Sequence, residues 1–95
     1  MTDEKKNTQK TVPNSHLIGR KVKFVYEGNW NDLTKGAVLT ISDAGVHGYP
    51  EGGIPNTPRL TFQAADGTLY ENVSVEHAFF NYGGEDDPLF VILDN

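Results

Sequence analysis

Clusters of glycine, proline, asparagine and aspartate divide residues 19–95 into short runs in which apolar and polar side chains alternate. A period of two, broken every few residues by turn-forming side chains, is typical of β-strands rather than of a helical bundle. The pattern predicts strands at residues 20–27, 37–42, 59–63, 69–75 and 89–93. We therefore expect an all-β domain in residues 16–95, preceded by a disordered, polar N-terminal arm in residues 1–15.

The segments between these strands predict different connections. Asp66 and Gly67 lie between two alternating runs and predict a tight hairpin. Residues 43–45 have the composition of a turn. Residues 46–58 contain three glycines and three prolines, which predicts a long structured loop with neither a helix nor a long interior strand. Residues 76–82 are long enough for one helical turn.

The alternation also predicts which side chains face the core. In residues 59–75 the inward set is Leu60, Phe62, Ala64, Leu69, Val73 and Val75. Tyr70 falls in the outward phase. Glu71 falls in the inward phase, so we expect it at an open end of the fold or at a β-bulge. Residues 89–93 are apolar throughout and predict a strand that is covered on both faces.

The order strand, long loop, strand, loop, tight hairpin, short turn, strand resembles that of SH3-like barrels over residues 19–93. This resemblance implies a five-stranded barrel, with an oligonucleotide-binding type of barrel or a small sandwich as the alternative. The Ala-Leu-Tyr-Asp-Tyr run of signalling SH3 domains is missing, so the resemblance does not imply binding of proline-rich peptides.

A second resemblance is to the KOW element of ribosomal and transcription-elongation proteins. It is carried by Val22, Gly28, Lys35-Gly36 and residues 38–41. The resemblance implies a nucleic-acid-binding module. The cations available for such binding are Arg20, Lys21, Lys23 and Lys35.

The chain carries a net charge of −5, and the charge is unevenly distributed. Residues 16–95 contain five basic and eleven acidic side chains, and the last twenty residues contain no lysine or arginine. An acidic domain favours basic protein partners over nucleic acids. The chain has no cysteine, no apolar run that could span a membrane and no visible signal peptide, which together favour a cytoplasmic location.

Patterns for catalysis and metal binding are weak. His16, His47 and His77 lack the spacing of zinc ligands, and the acidic triplet at 85–87 lacks the alternation of a calcium loop. Ser74 and His77 are close in sequence, but no oxyanion-hole glycine motif follows Ser74. The sequence therefore predicts no enzyme, no cofactor and no metal site.

Aromatic side chains in the connecting segments are the main candidates for binding. In an SH3-like barrel the first long loop, the second loop and the turn before the last strand lie along one side. The resemblance therefore implies a shared patch of binding anchors with an acidic edge that steers the partner. Its expected members are Trp30, Tyr49, Phe79, Phe80, Tyr82, Glu85, Asp86 and Asp87. The alternative for Trp30 is that it covers one end of the core.

The sequence thus predicts a non-enzymatic protein-interaction module whose partner carries a basic surface. A small, acidic chain without cysteine also resembles phage-type or mobile-element accessory proteins that bind and modulate a host protein. Two alternatives stay open. One is a KOW-like nucleic-acid-binding module of a transcription or translation complex, and the other is a structural subunit that self-associates through its last strand or an exposed edge.

Overall fold

The computed structural model describes residues 13–84 and 86–93. Its elements, in chain order, are a 3₁₀ turn at Ser15–Leu17, β1 (Lys21–Phe24), β2 (Val38–Tyr49), a 3₁₀ turn at Pro50–Gly52, β3 (Ile54–Gln63), β4 (Leu69–Ser74), α1 (Val75–Phe79) and β5 (Phe90–Ile92). The described chain is therefore mainly strand, as predicted. Most of the predicted N-terminal arm, residues 1–12, lies outside the described residues, whereas Ser15 already belongs to the first turn.

The five strands form one antiparallel sheet in the order β4-β3-β2-β1-β5. Hydrogen bonding does not close this sheet into a ring, because β4 and β5 are its two edges in the described part of the chain. The tight hairpin predicted at Asp66-Gly67 is confirmed by the pairing of β3 with β4.

The sheet is curled rather than flat. Strands β3 and β5 are three positions apart in the sheet, which in a flat sheet would separate them by about 14 Å. The rings of Phe62 on β3 and Phe90 on β5 are nevertheless stacked, with centroids 4.4 Å apart. Strands β3 and β5 therefore approach each other around a common core.

Two β-bulges bend the sheet at the same level. Ser42 is an extra residue in β2 at its pairing with β3. In β4 the extra residue falls at Glu71 and Asn72, opposite Thr61 of β3, and Asn72 has a φ of 64°. Bulges bend their strand and increase its twist. The expectation of a bulge at Glu71 is confirmed.

The bulge in β4 also changes which side chains face inward. The predicted core residues that are buried or packed against the core are Leu60, Phe62, Ala64, Val73 and Val75. The predictions for Leu69, expected inward, and Tyr70, expected outward, were wrong. Leu69 is exposed and Tyr70 packs against the core. One extra residue inverts the alternation along a strand, so a strict period of two cannot be carried across the bulge.

Strand β5 is covered on one face only, contrary to the prediction. Phe90 is buried, but Val91 is 40% exposed. Successive side chains of a strand point to opposite faces of the sheet, and in β5 only the face of Phe90 packs on the core.

The predictions of a turn at residues 43–45 and of a loop at residues 46–58 were wrong. These residues form the outer part of a long hairpin. Strand β2 continues to Tyr49, and β3 begins at Ile54. Among the described residues, the part of this hairpin beyond residue 43 pairs only within itself until β4 joins β3 at Arg59. We call residues 44–58 the arm. The prediction failed because the prolines of β3 lie on an edge strand, where a missing N–H is tolerated.

Candidate protein-interaction surface

The helix α1 places three aromatic side chains in different environments. Ser74 begins the helix, because its Oγ accepts hydrogen bonds from the backbone N–H groups of Glu76 at 3.1 Å and His77 at 3.5 Å. The helical turn predicted within residues 76–82 is thereby confirmed. Phe79 packs inward, with its ring edge-to-face against Phe62 at 6.3 Å. Phe80, the next residue, turns outward and is 59% exposed.

Phe80 borders a notch of about 260 Å³ between α1 and the base of the arm. Pro58 and Val75 supply apolar walls, and Glu76 lies at the same notch. The volume is below the roughly 300–1,000 Å³ of small-molecule sites.

Tyr82 lies in a second depression of about 220 Å³, which it shares with Trp30 and Glu71. Its ring meets Tyr26 edge-on at 5.1 Å and His77 at 5.4 Å. These aromatic contacts fix the position of Tyr82 at the beginning of the acidic loop.

The acidic loop, residues 83–88, is closed at its base by backbone hydrogen bonds. The N–H groups of Tyr82 and Gly83 donate to the carbonyl of Asp87 at 2.8 and 3.0 Å. Asp86 is exposed and Asp87 is half-buried, while Glu85 lies outside the described residues. Within the described residues, Glu76, Asp86 and Asp87 form no ion pair. No cation of the described part of the chain therefore neutralises these three carboxylates.

Trp30 packs against the core. Its ring is stacked on Phe24 at 6.3 Å and lies 5.7 Å from Phe90 and 5.5 Å from Tyr70. It is half-buried, and the part that stays accessible borders the depression at Tyr82. This is the packing expected of a side chain that covers one end of the core.

Tyr49 lies apart from the other aromatic candidates. It is near the tip of the arm, paired with Ile54, and its ring lies over Gly52. Pro58 of the notch pairs with Val46, and Tyr49 is three residues beyond Val46 along β2. This spacing places the backbone of Tyr49 about 10 Å from that of Val46. Tyr49 therefore lies toward the tip of the arm, away from the notch.

The cations of the KOW-like hypothesis occupy two locations. Lys21 and Lys23 are exposed on the outer face of β1, and Arg20 donates a hydrogen bond to the carbonyl of Leu93 at 3.5 Å. Lys35 forms an ion pair with Glu27. Lys21 also borders a shallow groove of about 500 Å³ that includes Val38 and the β3–β4 turn. A strip of positive charge therefore follows β1, with Lys35 compensated by its neighbour.

The notch is the feature that sequence reasoning missed. Pro58 and Phe80 are far apart in the sequence, and only the packing of the arm beside α1 brings them together. In the described part of the chain, no group of three His, Asp or Glu side chains is placed to hold a metal ion. No described helix is long and apolar enough to cross a membrane.

The surface that combines exposed aromatic side chains with carboxylates thus consists of the notch at Phe80, the ring of Tyr82 and the acidic loop. No protein-family model, no curated protein and no solved structure matches the chain.

Proposed function

We propose that the chain is a non-enzymatic protein-interaction module that binds a partner with a basic surface. The observation that carries the proposal is the exposed ring of Phe80 beside an apolar notch with Glu76 at its border. Aromatic side chains in such positions are typical binding anchors. The acidic residues nearby provide charge complementarity, which raises the association rate and selects against acidic partners.

We also propose that the curled sheet is an SH3-like barrel. The sheet order, the tight β3–β4 hairpin and the short helix before β5 support this assignment. The stacking of Phe62 on Phe90, across strands that are three positions apart, is the packing that a barrel-like curl requires.

The mechanism that follows is occlusion of the partner's surface. An apolar side chain of the partner enters the notch beside Phe80, and cations on its rim approach Glu76 and Asp86. Covering a functional surface of a host protein in this way is how a small accessory protein of the phage type would modulate it.

The test compares two aromatic side chains that are equally exposed. Phe80 and Tyr49 are each 59% exposed, but only Phe80 borders the notch. With the protein captured from lysate as the partner, Phe80→Ala should weaken binding by about 2 kcal/mol, which is roughly a thirtyfold increase in Kd. Tyr49→Ala should leave Kd within about twofold of the wild-type value. Unchanged binding by the Phe80→Ala variant, or an equal loss in both variants, would contradict the proposal.

Nucleic-acid binding is the second candidate, because Arg20, Lys21 and Lys23 are exposed along β1. Binding of this kind would weaken steeply with salt, since phosphate contacts release counterions. The double variant Lys21→Glu/Lys23→Glu should then lose retention of RNA or DNA. Retention that the double variant leaves unchanged would exclude this function for the β1 strip.

A further inference from the structure

The strands have four unpaired edges in the described residues, and three of them carry features that oppose pairing with another chain. Strand β5 has three residues, and β4 is bulged at Glu71 and Asn72. The β3 side of the arm contains Pro55 and Pro58, which have no N–H. Short strands, bulges and prolines are common means of preventing association between sheet edges. The fourth edge, residues 43–49 of β2, contains no lysine, proline or extra residue.

The pairing within the arm shows which backbone groups of this fourth edge point outward. Val46 opposes Pro58, which cannot donate a hydrogen bond, and the Oγ1 of Thr57 donates to the carbonyl of His47 at 3.4 Å. Antiparallel pairs alternate between hydrogen-bonded and non-hydrogen-bonded. The pairs from Asp43–Thr61 to His47–Thr57 are consecutive, so the N–H and C=O groups of Val46 point away from β3.

Ala44 belongs to the same outward-facing set. Its N–H donates a hydrogen bond to the Oδ1 of its neighbour Asp43 at 2.9 Å. The carbonyl of Ala44 points outward by the same alternation. The edge thus offers the N–H and C=O groups of Val46 and the C=O group of Ala44.

We propose that this edge pairs with the same edge of a second copy of the chain, antiparallel and across a two-fold axis at Val46. In this register Val46 opposes Val46, and Gly48 of one copy opposes Ala44 of the other. The two Val46 residues then exchange a pair of backbone hydrogen bonds, without displacing the contact between Ala44 and Asp43. A two-fold arrangement is closed, so it gives a dimer and not a filament.

Charge and side-chain type fit the second copy as occupant. Asp43 is the sole side chain with a formal charge in residues 43–49, and it lies opposite Tyr49 of the other copy, so no like charges meet. Two β-branched valines directly opposite each other form a favourable cross-strand pair. The pairing also covers part of an arm on which Val46, Tyr49 and Ile54 are each more than half exposed.

The dimer is independent of the proposed function, because the two surfaces lie on opposite sides of the arm. The notch at Phe80 includes Thr57 and Pro58 of β3, whereas the dimer edge belongs to β2. Both notches would stay accessible in the dimer. A partner with two binding sites would then be held bivalently.

The test uses full-length chains with a charge at the two-fold axis. Wild-type protein should show a monomer–dimer equilibrium in sedimentation velocity over a range of concentrations. Val46→Lys and Val46→Glu should each raise the dimer dissociation constant by roughly five- to tenfold, because like charges face each other. An equimolar mixture of the two variants should recover the dimer. Circular dichroism should be unchanged, because Val46 is 51% exposed.

Cross-linking provides a second measurement, since the chain has no native cysteine. Val46→Cys should be joined into dimers by a short bismaleimide. Val38→Cys is the matched control, because Val38 lies on the same strand with similar exposure, 45%, but is paired with β1. A wild-type chain that stays monomeric at all concentrations would overturn the proposal. So would equal cross-linking at the two positions, or a mixture of charged variants that fails to dimerise.

Discussion

Replacing Trp30 with alanine is expected to lower the free energy of unfolding by about 3 kcal/mol. Removing a buried tryptophan or phenylalanine typically costs about 3–5 kcal/mol, and Trp30 is half-buried, which places the value near the lower limit. The ring contacts that are lost involve Phe24, Tyr70 and Phe90 at 5.5–6.3 Å. Domains of about 80 residues are stable by only about 4–12 kcal/mol, so the loss is a large part of the total.

The assay is urea unfolding followed by far-ultraviolet circular dichroism, because Trp30 is the sole tryptophan and its fluorescence is lost in the variant. The melting temperature should fall by more than about 10 °C. Tyr49→Ala is the control, because an exposed aromatic side chain should change stability by no more than about 0.5 kcal/mol. A loss below about 1 kcal/mol in Trp30→Ala, together with weakened partner binding, would show that Trp30 is a binding anchor and that the packing argument fails.

Three further predictions concern the hairpins and the helix. Gly48→Ala should lower the free energy of unfolding in urea by about 1–3 kcal/mol, because a Cβ there would lie 2.5 Å from a backbone oxygen of β3. Gly45→Ala should change it little, because no atom lies within 4 Å of a Cβ at that position. Ser74→Ala should cost about 1 kcal/mol through loss of the α1 cap, and Ser74→Asp should retain most of that stability. Hydrogen bonds from Thr68, first from its backbone N–H and then from its side chain, lower the pKa of Asp66 from its ordinary 3.8. The ionised carboxylate therefore stabilises the fold above pH 3.8, and this contribution is lost as the pH falls through the lowered pKa.

Each of these predictions has a contrary result. Equal losses for Gly48→Ala and Gly45→Ala would refute the close approach in the arm. Unchanged stability of Ser74→Ala would mean that the cap contributes nothing. An NMR titration that gives Asp66 a pKa at or above 3.8 would contradict the hydrogen bonding at the β3–β4 turn.

Local signals in the sequence were sufficient for the elements that depend on local chemistry. Asp66-Gly67 predicts its hairpin because the turn itself requires those residues, and the alternation through Leu60 and Phe62 gives the buried face of β3 correctly. The single turn of α1 was predicted from its length and position. None of these depends on which strand lies at the edge of the sheet.

The arm and the change of phase in β4 could not be predicted in the same way. Pro55 and Pro58 exclude an interior strand but are compatible with an edge strand, and only the complete sheet order shows that β3 is an edge at those residues. The exposure of Leu69 likewise follows from a bulge whose position is set by pairing with β3. The notch beside Phe80 depends on both of these non-local features.

The most direct test of the proposed function is a pull-down from cell lysate with immobilised wild-type chain and the Phe80→Ala variant, each with and without nuclease. The account predicts that the wild-type chain retains one protein with a basic surface in stoichiometric amount after nuclease treatment. The same protein should be lost from the Phe80→Ala variant. Recovery that disappears with nuclease, or that is equal for the two chains, would contradict a protein-interaction surface at the notch.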